Sequence, residues 1–285
     1  MRTVQTRAIT GPMIGLIGQL ALLVLLAATV GLSGSGWAIG ILCGLVTNVA
    51  LAYGLAGSEG LGPADRVTLV RATLVGAVAA LTADWFSQPA PVATVVTLSA
   101  VALVLDGVDG RVARRTGTAS TLGARFDLEV DAFLILVLSV YVARSTGAWV
   151  LEIGAARYAF VASRWLLPWM HGTPPARYWC KVVAAIQGIV LTVAAADVLP
   201  GPVIDAVLVV SLALLAESFG REVWWLWRHR RVEADPVLTS PRPQGVRTVV
   251  TGLVTALAAL VVWVALVAPN DLSRLAPGAF VRIPL

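Results

Sequence analysis

The stretch VATVVTLSAVALVLDGVDGRVARRTGTASTLGARFDLEVDAFLILVLSVYVAR, Val92 to Arg144, holds the pattern that decides the fold. An apolar run reaches Asp106, a polar segment carrying Asp109, Asp127 and four arginines follows, and a second apolar run leads from Asp131 to Arg144. A helix needs about 20 apolar residues to cross bilayer hydrocarbon, and each run with its flank approaches that length. Lipid offers no partner for backbone N–H and C=O groups, so spanning segments are helices or closed barrels. The short alternating strands of a barrel are absent from the pattern. The stretch therefore predicts two antiparallel helices joined by a turn, with carboxylates gathered where the turn leaves the membrane.

The rest of the 285 residues extends this theme. Hydrophobic residues make up 58% and charged residues 13%, with mean hydropathy +0.84. Soluble domains carry about 25% charged residues. Runs of low charge lie near residues 13–32, 36–55, 66–83, 90–106, 124–144, 148–170, 183–199, 203–220 and 248–268. The expected fold class is all-α, a polytopic transmembrane helical bundle. A six-helix core at 61–228 is flanked by an N-terminal extension at 1–60 with two spans. A cytoplasmic linker at 229–247 then leads to a last span and tail at 248–285. MRTVQTR before the first run resembles a secretory signal, but the run is longer than a signal's apolar region, so a signal anchor is preferred.

Net charge is +5 and the pI is near 9.9. The basic residues sit in short loops between runs, which points to topology and anionic headgroups and excludes nucleic acid as the expected partner. With the N-terminus inside, Arg2, Arg7, Arg66, Arg111, Arg114, Arg115, Arg125, Arg177, Lys181 and the arginines of RHRRVEADPVLTSPRPQGVR share one side. The positive-inside rule makes that side cytoplasmic. A multi-pass protein of the cell membrane, with its acidic cluster on the cytoplasmic face, is the expectation. Cys43 and Cys180 form neither a disulfide framework nor a metal-binding spacing.

Ionisable groups at membrane depth are costly, and such carboxylates point to function. Asp106 and Asp109 are i, i+3, and Asp127 and Asp131 are i, i+4, so on helices each pair shares one face. Four converging carboxylates repel unless a cation lies between them, and hard divalent ions take carboxylate oxygens. One or two Mg²⁺ or Mn²⁺ ions are the economical answer, and two would suit displacement at phosphorus. Gly107, Gly110 and Gly123 allow close approach of a nucleotide to backbone. Ala113 is small for the same reason, and Arg114 offers a planar fork of donors to phosphate.

With these residues in hand, the chain resembles the CDP-alcohol phosphatidyltransferase family, whose motif reads D-x2-D-G-x2-A-R-x8-G-x3-D-x3-D. Asp106, Asp109, Gly110, Ala113, Arg114, Gly123, Asp127 and Asp131 match it with every spacing intact. The resemblance implies a di-metal site on Asp106, Asp109, Asp127 and Asp131, with Asp131 as general base. It implies an acceptor alcohol attacking the β-phosphorus of a CDP-linked donor, first of all CDP-diacylglycerol, with release of CMP in phospholipid biosynthesis. Gly110, Ala113, Arg114 and Gly123 would line the CDP site, and homodimers are usual in the family.

Less tightly, Thr68 and Arg71 resemble the family's entry to its first core helix. Arg71 would face nucleotide phosphates or else snorkel from a helix start. Arg157 and Arg164, i, i+7, together with Lys181 resemble the positions that bind an acceptor's phosphate; the other reading pairs them with a carboxylate or headgroup. Tyr158 and Val183 stand where glycerol-phosphate-using members often have a glutamate and a lysine, so the acceptor stays open. Glu152 is expected to be solvated, Glu217 and Arg221 to pair along a helix surface, and His171 to be a loop histidine. A divalent-cation transporter or a catalytically silent scaffold are the competing functions.

Overall fold

The computed structural model describes residues 2–55, 63–86, 89, 91–116, 121–172 and 178–230. Among them are eight α-helices and no strand: α1 (Arg2–Thr29), α2 (Gly34–Leu55), α3 (Pro63–Asp84), α4 (Val92–Thr116), α5 (Thr121–Thr146), α6 (Leu151–Leu166), α7 (Tyr178–Ala195) and α8 (Gly201–His229). They correspond to the first eight apolar runs. The ninth run at 248–268, and the linker from residue 231 onward, lie outside the described residues.

Local chemistry sets the helix ends. Gly31, at φ 76°, adopts the left-handed conformation that closes α1. Pro63 opens α3, where its missing N–H costs nothing, and Asp65 in the first turn favours the positive end of the helix dipole. α6 is shorter than the run at 148–170 from which it was expected. A 3-10 turn at Ala148–Val150 precedes it, and Pro168 holds Leu167 extended (φ −117°, ψ 101°). Its 16 residues rise only about 24 Å, less than the hydrocarbon thickness.

α3 is the central helix, packed against α1, α2, α4 and α5. Ala77, Val78, Ala80 and Leu81 on it are wholly buried. Small side chains let helix backbones approach where lipid supplies no hydrophobic drive between them. At Gly76 a Cβ would stand 2.9 Å from the amide of Gln19, so the glycine admits this buried side chain of α1. At Gly154 a Cβ would lie 2.7 Å from the Leu136 Cα, so α6 rests directly on the α5 backbone.

Polar locks join the helices as well. Asp84, at the end of α3, accepts hydrogen bonds from the N–H groups of Ser33 and Gly36, both at 2.9 Å, and from the Ser33 hydroxyl. The carboxylate thus caps α2 from a different helix and fastens the N-terminal pair to the core. Gln187 of α7 donates to the Ser211 carbonyl of α8 at 2.9 Å, inside the bundle.

The exterior is apolar, with Met13, Ile14, Ile17 and Val24 on α1 and Val209 and Val210 on α8 exposed. In water so large an apolar surface would drive association; here it meets lipid. Gly34–Ala52, Asp65–Asp84, Tyr178–Ala195 and Gly201–His229 are each long and apolar enough to cross a membrane. Met13–Thr29 and Val92–Val108 are shorter apolar stretches. Aromatic and basic side chains mark helix ends. Arg144 lies over the ring of Trp85 (4.8 Å to the centroid), and Arg228 and Arg230 lie over Trp224 and Trp227 (5.2 and 4.6 Å). Such pairs suit the headgroup level.

Candidate active site

α4 continues as helix to Thr116 and α5 begins at Thr121, so the acidic segment is helical on both sides of the short 117–120 connection. Asp106, Asp109, Gly110, Ala113 and Arg114 therefore ride on α4, and Gly123, Asp127 and Asp131 on α5. The side chains of Asp109, Ala113 and Arg114 lie outside the described residues; their backbone positions place Asp109 and Gly110 about one turn beyond Asp106. One carboxylate oxygen from each of Asp106, Asp127 and Asp131 lies within 4.8 Å of the others.

At the centre of these three stands Arg71 of α3. Its side chain is 1% exposed, with Nη1 3.1 Å from Asp106 Oδ1. Nη1 also pairs with Asp127 and Nη2 with Asp131, while Nε donates to the Ala102 carbonyl at 3.2 Å. One guanidinium thereby ties α3, α4 and α5 together. A fork of five donors in a fixed plane can serve several carboxylates at once, which a lysine cannot. Burial of this degree rules out the snorkelling reading of Arg71. Thr68, one turn earlier, is also buried.

The donor set fits a hard divalent cation. Arg71 brings one positive charge to three carboxylates, and all the converging atoms are oxygens. Side chains of Asp106, Asp127 and Asp131 are 39%, 33% and 28% exposed, so an ion or phosphate can reach them from outside while Arg71 holds them from within.

A second charged group lies elsewhere on α5. Arg157 of α6 pairs with Glu129 at 2.8 Å, their side chains 27% and 12% exposed. Glu129 is two residues from both Asp127 and Asp131, about 200° around the helix, and so projects from the opposite face. The structure thus brings Arg157 to a carboxylate, the alternative weighed for it, and Arg164 donates to the Gly172 carbonyl at 3.3 Å. Lys181 is exposed on the first turn of α7. The sequence reading passed over Glu129; the period of α5 held the signal, because a carboxylate out of phase with two others needs its own partner. Glu217 and Arg221 do pair at i, i+4, with Trp179 donating to Glu217 at 3.0 Å, and Glu152 is exposed.

Fold and site together define an all-helical membrane protein in which α4 and α5 bring three carboxylates together. The chain belongs to the CDP-alcohol phosphatidyltransferase family, whose model matches residues 63–224, more than half of its length. It is similar to ethanolaminephosphotransferase 1 of Homo sapiens, 32% identical over 110 residues, covering 32% of this chain and 28% of the relative. The protein of the same name from Pongo abelii matches with the same identity and coverage. The chain thus spans under a third of the length of these curated relatives. No solved structure gave a significant match.

Proposed function

We propose that the protein moves a substituted phosphate group from a CDP-linked donor to an alcohol, releasing CMP, as a step of phospholipid synthesis. The observation that carries this reading is the convergence of Asp106, Asp127 and Asp131 within the family-matched region. The acceptor hydroxyl attacks the β-phosphorus; the new P–O bond forms as the bond to the CMP oxygen breaks, and CMP leaves with that electron pair. Asp131 takes the hydroxyl proton, its position relative to the acceptor mattering more than its intrinsic basicity. Asp106, Asp109, Asp127 and Asp131 would hold two Mg²⁺ or Mn²⁺ ions, whose contribution when bound is to neutralise phosphate oxygens.

Gly110, Ala113, Arg114 and Gly123 form the proposed cradle for the CDP moiety, with small residues permitting close approach and Arg114 answering phosphate. Arg71 keeps the carboxylates gathered and, with Thr68, borders the donor phosphates from α3. Arg157, Arg164 and Lys181 belong to the acceptor side. Residence in the cell membrane, a cytoplasmic address for the aspartates and a homodimer complete the proposal.

CDP-diacylglycerol is the first donor proposed. The similarity to ethanolaminephosphotransferase 1 favours a second, a CDP-linked ethanolamine with a lipid alcohol as acceptor. Purified protein incubated with either donor, Mg²⁺ or Mn²⁺ and a panel of alcohols should release CMP with one combination. Absence of CMP with every combination, together with Mg²⁺ flux into proteoliposomes, would replace the transferase with a cation transporter.

A further inference from the structure

We infer that the C-terminal end of α8 is a docking site for anionic phospholipid, formed by Trp224, Trp227, Arg228 and Arg230, outside the aspartate cluster. Val203, Val210, Glu217, Arg221, Trp224 and Arg228 fall on one line along α8, within about 60° of one another around its axis. Val203 and Val210 are exposed, and so are Trp224 and Arg228. Leu208, Leu215 and Leu226 lie on the other side of the helix and are buried. One face of α8 thus presents apolar side chains near its start and aromatic and basic ones near its end.

Helix length puts that change at the membrane surface. The 29 residues of α8 rise about 43 Å, against about 30 Å of hydrocarbon and roughly 40–45 Å with the headgroups included. With Gly201 at the far edge of the hydrocarbon, Arg221 stands about 30 Å along the axis and Arg228 about 40 Å, within the near headgroup layer. Trp179, from the start of α7, donates to Glu217 at 3.0 Å and adds an aromatic where the line turns polar.

Arg221 is committed to Glu217. Arg228 and Arg230 rest on rings instead, over Trp224 and Trp227, at 5.2 and 4.6 Å from the centroids. The two indoles stack at 5.3 Å and are 55% and 43% exposed. A guanidinium on a ring face is held in place, and the N–H groups of its edge can still give a phosphate two parallel hydrogen bonds. Indoles favour the level of the glycerol and upper acyl chain beside such a phosphate. A zwitterionic headgroup brings its own ammonium to the arginines, so a lipid of net negative charge is the better complement. Continuity with the lipid-facing valines of the same line favours a lipid over a nucleic acid or an acidic protein.

Native mass spectrometry of the full chain in neutral detergent, titrated with phosphatidylglycerol or with phosphatidylcholine of identical chains, tests the charge requirement. Phosphatidylglycerol should bind about 25-fold more tightly, roughly fivefold for each arginine. Arg228→Gln with Arg230→Gln should cut the preference by about that factor. Equal affinity for the two lipids in the wild type, or an undiminished preference in the variant, overturns the inference. Inorganic phosphate that displaces phosphatidylglycerol at millimolar concentration would make this a soluble-anion site and overturn the lipid assignment. A second measurement needs no variant to fold. In nanodiscs holding a phosphatidylglycerol with a photoreactive group beside its phosphate, the wild type should be labelled within 221–230 on peptide mapping. Labelling confined to other segments, or equal labelling there by the matching phosphatidylcholine probe, overturns the inference.

Discussion

The two faces of α5 solve the same problem in opposite ways. On one, Asp127 and Asp131, joined by Asp106 of α4, share the single guanidinium of Arg71; on the other, Glu129 meets Arg157 one to one. Both arginines come from a neighbouring helix, and both serve carboxylates that lipid alone would not tolerate. The difference is stoichiometry. A matched pair needs nothing further, whereas three carboxylates around one arginine offer oxygens to a hard cation. The excess of negative charge, rather than the presence of charge in a membrane helix, is why ligand chemistry is proposed for that face.

That comparison can be broken most severely at Asp131. Asp131→Asn should lower CMP release by about 100- to 10,000-fold, the range for loss of a general base, with helix content unchanged by circular dichroism. Turnover near the wild-type rate in a folded sample would remove Asp131 from the role of base. Chelation should have a comparable effect on the same face, activity disappearing with EDTA and returning with Mg²⁺ or Mn²⁺. A chelator-insensitive rate would mean that the three-to-one ratio is purely structural.

Arg71→Ala should cost about 3–5 kcal/mol, because three carboxylates lose the partner that gathers them. The partial exposure of those aspartates argues for the lower end. Added Mg²⁺ should raise the melting temperature of this variant more than that of the wild type, since a cation can take over part of the vacated charge. Equal shifts for both proteins would show that no cation binds at this cluster. The smallest effect belongs to a third pair, Glu217 with Arg221, whose side chains are 36% and 65% exposed. Breaking it with Glu217→Gln should cost no more than about 0.5 kcal/mol by thermal melting. A larger loss would assign Trp179, which donates to Glu217, a greater part in holding α7 to α8.

The motif region, Asp106 to Asp131, illustrates how far the primary structure reaches. Asp127 and Asp131 at i, i+4 share a face on any helix, so their convergence was legible, as was the i, i+3 relation of Asp106 and Asp109. Arg71 was legible only as an arginine near a helix start, with snorkelling and phosphate binding equally consistent with its spacing. Arg157 was legible as a residue that could meet either an anion or a carboxylate. Their partners lie 35 to 60 positions away for Arg71 and 28 for Arg157, distances over which periodicity carries no information.

By itself the sequence determined that this chain is an all-helical membrane protein, because an excess of apolar residues in long runs has no other stable arrangement in lipid. It also put Asp106 with Asp109, and Asp127 with Asp131, on shared helix faces, because helical period converts spacing into position. Only the tertiary structure decided which arginine answers which carboxylate. It is also what fastens the N-terminal pair to the core through Asp84 and interrupts the sixth run at Pro168. Ion pairing depends on the rotation of one helix against another, and that rotation is set by small residues such as Gly76 and Gly154 whose neighbours no local pattern reveals.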